Sequence, residues 1–124
     1  PMPGVLPLRQ AIAQTAQETY GRAVDPETEV TVTAGGTEAL FSALAALVHP
    51  GDEVILFDPA YDSYDPAIRL NGGVPVHLNL APPDFRIDWQ AVKARISPRT
   101  RIIMVNTPHN PSGAVMPVSY THLT

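Results

Sequence analysis

Two uninterrupted apolar runs constrain this chain more than any other feature. They are Val54-Ile55-Leu56-Phe57 and Ile102-Ile103-Met104-Val105. A strand with one wet face alternates apolar and polar residues, whereas a strand covered on both faces reads as a continuous apolar run. Each run closes on turn residues, Asp58-Pro59 after the first and Asn106-Thr107-Pro108 after the second. Stretches of helical spacing lie between them. Strands separated by helices need right-handed crossovers, and therefore parallel pairing. The predicted fold class is α/β, with three layers built about a mainly parallel sheet.

The remaining elements follow from local pattern. Leu6 to Tyr20 spaces Leu8, Ile12 and Ala16 as a helix, with Pro7 suited to its first turn and Gly21 to its end. Glu29 to Ala34 alternates Val30 and Val32 with threonines and predicts a strand. Thr37 to Val48 predicts a helix that is apolar almost all round, a pattern normally buried on more than one side. Glu53 to Asp58 is a strand and Ala60 to Leu70 a helix, stopped by Asn71-Gly72-Gly73. Val74 to Leu80 is a strand with Val74, Val76 and Leu78 on one face. Asp88 caps a short helix reaching Ile96, Thr100 to Asn106 is a further strand, and Thr107 to Gly113 is a loop.

Composition excludes several functions. Eight basic against twelve acidic side chains give a net charge of −4. That balance offers no attraction to nucleic acid or to an anionic membrane. Cysteine is absent, which excludes a disulfide framework and any cysteine-based zinc site. Charged residues are 16%, well under the usual quarter or so, so much of the surface is predicted to be covered by something else. No apolar run approaches the roughly 18 residues of a membrane span. No basic segment precedes an apolar stretch as in a signal peptide, and Pro1 is not a start residue. These features predict a cytoplasmic chain, incomplete at its front.

Ligands of open α/β sheets sit beyond the carboxyl ends of the strands, and three polar clusters fall there. Gly35-Gly36-Thr37 lies between a predicted strand and a helix start. Glycines allow close backbone approach, and the helix start attracts phosphate. The same residues also suit an ordinary turn with Thr37 as helix cap. Neither the G-x-x-x-x-G-K nor the G-x-G-x-x-G pattern is present. Tyr61, just past a strand end, can stack on a flat ring or pack beneath a loop, and Tyr64 follows one helical turn later. The string Asn106-Thr107-Pro108-His109-Asn110-Pro111-Ser112-Gly113 is the most specific of the three, because a structural turn explains its Pro and Gly but not the whole string. His49 and His77 fit a turn and a strand surface, with no metal spacing between them.

At these clusters the chain resembles the class I/II pyridoxal-phosphate-dependent aminotransferases of fold type I. The matching stretches are Thr33-Ala34-Gly35-Gly36-Thr37-Glu38-Ala39-Leu40, Gly51-Asp52-Glu53-Val54, Asp58-Pro59-Ala60-Tyr61-Asp62-Ser63-Tyr64 and Asn106 to Gly113. Within the class, Pro3 to Pro111 most resembles the methionine and kynurenine–oxoglutarate aminotransferases. The resemblance implies that residues 1–115 are part of the large, cofactor-binding domain. It implies that Gly36 and Thr37 hold the phosphate of pyridoxal 5'-phosphate while Gly35 makes the turn. It implies that Tyr61 stacks on the pyridine ring, that Asn110 bonds its 3-oxygen, and that Tyr64 and Asn106 support them. Asp58-Pro59 and Asn110-Pro111 are expected to be cis, and His109 to position Asn110 rather than to move protons. The substrates implied are an L-amino acid (methionine, aromatic or kynurenine-like) and a 2-oxo acid, and the assembly implied is a homodimer.

The resemblance also marks what is missing. Such enzymes need a Schiff-base lysine, and the chain's single lysine, Lys93, lies on a polar helix face. No catalytic residue is therefore assigned, and the chain alone is predicted to be inactive. Residues 116–124 do not continue the family pattern, and they are read as a foreign tail of the kind left by adapter read-through. Two other readings share these residues. One is a carbon–sulfur β-lyase of the same fold. The other is the effector domain of an aminotransferase-like transcription regulator, which would carry a basic DNA-binding segment upstream.

Overall fold

The computed structural model describes residues 2–117. They form α1 (Leu6–Tyr20), α2 (Gly36–Leu47), β1 (Glu53–Asp58), α3 (Tyr64–Leu70), β2 (Val74–Asn79), α4 (Trp89–Arg95) and β3 (Thr100–Ile103). The chain divides into two compact units, one running to Phe41 and the other starting at Ser42, so the boundary falls inside α2. Of the predicted tail, 116–124, the structure describes Met116 and Pro117, and the rest lies outside the described residues.

In the first unit, α1 begins and ends where its sequence predicts. Pro7 occupies the first turn, and Gly21 closes the helix in the left-handed conformation (φ +66°), its N–H bonded to the Gln17 carbonyl at 3.0 Å. The buried Arg9 ties α1 to the following turn, donating to the carbonyls of Pro26 at 2.8 Å and Glu27 at 3.2 Å. Asp25 organises that turn, accepting from the Glu27 N–H and the Thr28 hydroxyl, both at 2.8 Å. Glu29 to Ala34 is not the predicted strand. Val30 is buried and the Val32 N–H reaches the Pro3 carbonyl at 3.0 Å, but the segment joins no sheet among the described residues. Alternation makes a strand possible; a ladder of partners makes it one.

In the second unit, the strands pair in the order β2-β1-β3, all parallel. Glu53 lies opposite Val74 and Asp58 opposite Asn79, so the carboxyl ends of β1 and β2 coincide. Val54 and Leu56 point to one face, where they pack with Leu44, Val48, Ala67 and Ile68. Ile55 and Phe57 point to the other, against Leu80, Ile87 and Val92, with Met116 at the margin. The predicted three-layer α/β arrangement with a parallel sheet is what the unit forms. Burial of each large side chain in these clusters contributes about 1.5–3 kcal/mol.

Two boundaries and one face differ most from expectation. β3 ends at Ile103 rather than Asn106: Met104 still donates to the Ile55 carbonyl at 3.0 Å, but Val105 is exposed. α3 starts at Tyr64 rather than Ala60, because Pro59 has no N–H and the Tyr64 N–H turns back to the Tyr61 carbonyl at 3.1 Å. Val74 is exposed, so the apolar face of β2 consists of Val76 and Leu78. α2 is also less covered than its composition predicts. Leu44 is its buried residue, while Phe41 and Leu47 remain 42% and 49% exposed.

At the amino ends of the strands, the buried Glu53 carboxylate accepts from the Ser97 hydroxyl and the Arg99 guanidinium, both at 2.6 Å. The Ser97 bond first, then Arg99, holds this carboxyl below its ordinary range. The opposite, carboxyl ends carry the polar loops.

Candidate cofactor site

β1 delivers its chain into the turn Pro59–Ser63. The turn places the half-buried ring of Tyr61 edge-on to Tyr64, with centroids 5.5 Å apart and planes at 70°. Tyr64 also packs on the apolar cluster beneath α3, which anchors the pair to the core. The Asp58-Pro59 bond is cis, as the resemblance implies. Between the two tyrosines, the buried Ser63 hydroxyl has no hydrogen-bond partner among the described residues.

Beyond β3, the segment from Asn106 to Met116 folds back on itself. The His109 N–H donates to the Ala114 carbonyl at 2.8 Å, and the Gly113 N–H donates to the His109 carbonyl at 2.6 Å. The Met116 N–H donates to the Thr107 hydroxyl at 3.0 Å. His109 is 4% exposed, and its Nδ1 lies 2.7 Å from the Ser112 hydroxyl. A ring committed to that bond inside the loop fixes the backbone beside it. Asn110 stands exposed at the loop tip and Asn106 half-buried at its base. The Asn110-Pro111 bond is cis as expected; Thr107-Pro108 and Pro82-Pro83 are cis as well.

In the first unit, Gly35 turns the chain at φ +98° and its carbonyl accepts the Ala39 N–H at 3.3 Å, opening α2. A Cβ placed at Gly35 or Gly36 would meet nothing within 4 Å, so the backbone there is open to close approach. Thr37 is exposed and is the second helical residue, which rules out the alternative role of helix cap. Helix geometry directs the first-turn N–H groups outward along the axis, the arrangement that binds phosphate.

The structure thus brings Tyr61 and Tyr64 together, and it sets Asn106 and Asn110 at the same end of the sheet. Lys93 lies exposed in the last turn of α4. One further group escaped sequence reasoning, which left His77 on a strand surface. Its Nδ1 lies 3.0 Å from each carboxylate oxygen of Asp58, and its Nε2 lies 2.8 Å from Asp65. The hydrogen bond from its ring to Asp58 raises the His77 pKa above its ordinary 6.5; burial opposes this, and the bond to Asp65 adds to the rise. Arg69 first, and His77 after it, hold Asp65 below its ordinary 3.8. The three residues come from β1, β2 and α3, so no local pattern announces them.

Comparison with known proteins places these features in context. A family model for aminotransferase class I and II matches residues 1–120. Methionine aminotransferase of Escherichia coli is 56% identical over 115 residues, covering 93% of this chain and 30% of that protein. A solved Escherichia coli structure, whose reactivity identified a methionine aminotransferase function, superposes with a TM-score of 0.92 at 56% identity, covering 94% of this chain and 31% of that one. Kynurenine–oxoglutarate transaminase 1 of Rattus norvegicus is 38% identical over 123 residues, covering 90% of this chain and 29% of that protein. The chain therefore spans about 30% of the length of the curated relatives it matches.

Proposed function

Because the chain belongs to the class I and II aminotransferase family, we propose that it supplies cofactor contacts to an enzyme moving an amino group from an L-amino acid to a 2-oxo acid with pyridoxal 5'-phosphate. The named relatives support methionine, an aromatic amino acid or kynurenine as the donor. A cytoplasmic homodimer is the assembly this reading expects.

The residues present suit that cofactor. When bound, it supplies an electron sink for charge developing on the amino acid's α-carbon. Thr37 and the first-turn N–H groups of α2 offer hydroxyl and amide donors to a phosphate. Tyr61, braced by Tyr64, offers a ring face for stacking. The Asn110 side-chain amide donates to the ring's 3-oxygen and favours its anionic form. The loop bonds of His109 hold that amide in place, and Asn106 supports the loop base. Lys93, exposed on α4, is not the lysine such a reaction requires.

The observation that carries this reading is that the braced Tyr61 and the exposed Asn110 both follow the carboxyl ends of neighbouring strands in a single parallel sheet. The test uses the full-length protein bearing this sequence, assayed for amino transfer from methionine, phenylalanine and kynurenine to 2-oxoglutarate. Asn110→Ala should lower kcat/KM about 10- to 100-fold, as loss of a hydrogen bond to a charged group does, and should shift the cofactor's absorbance titration. Unchanged activity and absorbance in that variant would exclude the assignment.

A further inference from the structure

His77 lies opposite Leu56 in the sheet. Alternation sends Val76 and Leu78 to the α4 face, where they pack, and His77 to the α3 face. From there its ring meets Asp58, the last residue of β1, and Asp65, in the first turn of α3. Those two residues are the ends of the short segment that displays Tyr61. Arg69 grips Asp65 from behind, Nε to Oδ1 at 2.5 Å and Nη2 to Oδ2 at 3.2 Å.

We propose that His77 is a positioning residue, clasping both ends of the Asp58–Asp65 segment and so setting where the Tyr61 ring stands. The clasp needs a protonated ring. A neutral imidazole donates from one nitrogen and would turn a lone pair toward the second carboxylate; imidazolium donates to both. The charged groups facing the ring are Asp58 from β1 and Asp65 from α3, with Arg69 behind the latter. α4 packs on the opposite face of β2, so Lys93 and Arg95 do not face it. The raised pKa of His77 fits this environment. The clasp is complete below the ordinary histidine value and is lost as pH rises through the raised one. His77 and its partners are about one-third exposed (37%, 33% and 31%), so solvent screening keeps the effect modest.

This proposal goes beyond the functional reading and needs no cofactor. The 124-residue chain, labelled with ¹⁵N, is titrated by NMR, with the His77 signals assigned by their loss in His77→Gln. Both ring nitrogens should be protonated below the midpoint, and the midpoint should lie above 6.5. Amide exchange at Tyr61–Ser63, corrected for intrinsic catalysis, should rise about two- to fivefold across that midpoint. In His77→Gln it should sit at the raised level without a pH step. Asp65→Asn should lower the midpoint. A His77 ring titrating at or below its ordinary value, as in an unstructured chain, overturns the proposal. So does exchange in His77→Gln that follows the parent at every pH. An intact His77 titration in a full-length protein with no affinity for pyridoxal phosphate would remove the functional reading and leave the clasp standing.

Discussion

Single residues show where reading a sequence succeeds and where space decides. Asp88 is legible as a cap because the preference is local, and its carboxylate accepts from Gln90 and Ala91 at 2.9 and 3.2 Å. Asp88→Ala should therefore cost about 1 kcal/mol, read as a lower urea midpoint. Gly72-Gly73 reads as one undifferentiated stop, yet the two glycines differ. A Cβ on Gly73 would lie 2.7 Å from Val48 Cγ1 and 2.8 Å from Ile68 Cγ2, inside the apolar cluster. Gly73→Ala should destabilise by about 1–3 kcal/mol through overpacking, again by urea denaturation. A neutral result would mean that the cluster yields there. His77 is the residue-scale failure, since its partners are 19 and 12 positions away.

Among elements, those defined by their own sequence are legible and those defined by partners are not. α1 and β1 keep their predicted bounds, and α4 starts at its predicted cap. Each carries its signal within itself: helical spacing, a continuous apolar run, a capping aspartate. Glu29 to Ala34 has the alternation of a strand but lacks a ladder. α2 has the composition of a buried helix but leaves Phe41 and Leu47 half in water. Both misreadings share one cause. Burial and pairing are properties of neighbours, which no local pattern carries. The clusters proposed to hold the cofactor were singled out for a different reason: each follows an apolar run or a predicted strand, where α/β ligands gather, although the strand predicted before Gly35 does not form.

For the molecule as a whole, charge sets a window of stability. Asp25, Asp52, Glu53 and Asp65 all have lowered pKa values. The leading causes are, in turn, the Glu27 N–H, the His49 N–H, the Ser97 hydroxyl and Arg69. Lowered acids contribute stability that is present above their ordinary values of 3.8 (Asp) and 4.5 (Glu) and is lost as pH falls through the folded ones. His77 contributes in the opposite sense, fully below 6.5 and less as pH rises through its raised value. The urea midpoint should therefore be highest between about 4.5 and 6.5 and fall on both sides. The chain's single tryptophan, Trp89, set 6.5 Å from the Phe57 ring centroid, reports it by fluorescence. A midpoint that climbs steadily through this range would contradict the assignment of His77.

The central strand carries one more consequence. Its interior, Val54 to Phe57, is greasy on both sides, so water exclusion alone is indifferent to which of these residues sits beside which neighbour. Its two acids are not indifferent: Glu53 must reach Ser97 and Arg99, and Asp58 must reach His77. Each works as an index mark. Sliding the strand along its neighbours would drag one carboxylate into oil and strand the partners of the other, so the alignment of the sheet is written at its margins rather than in its middle.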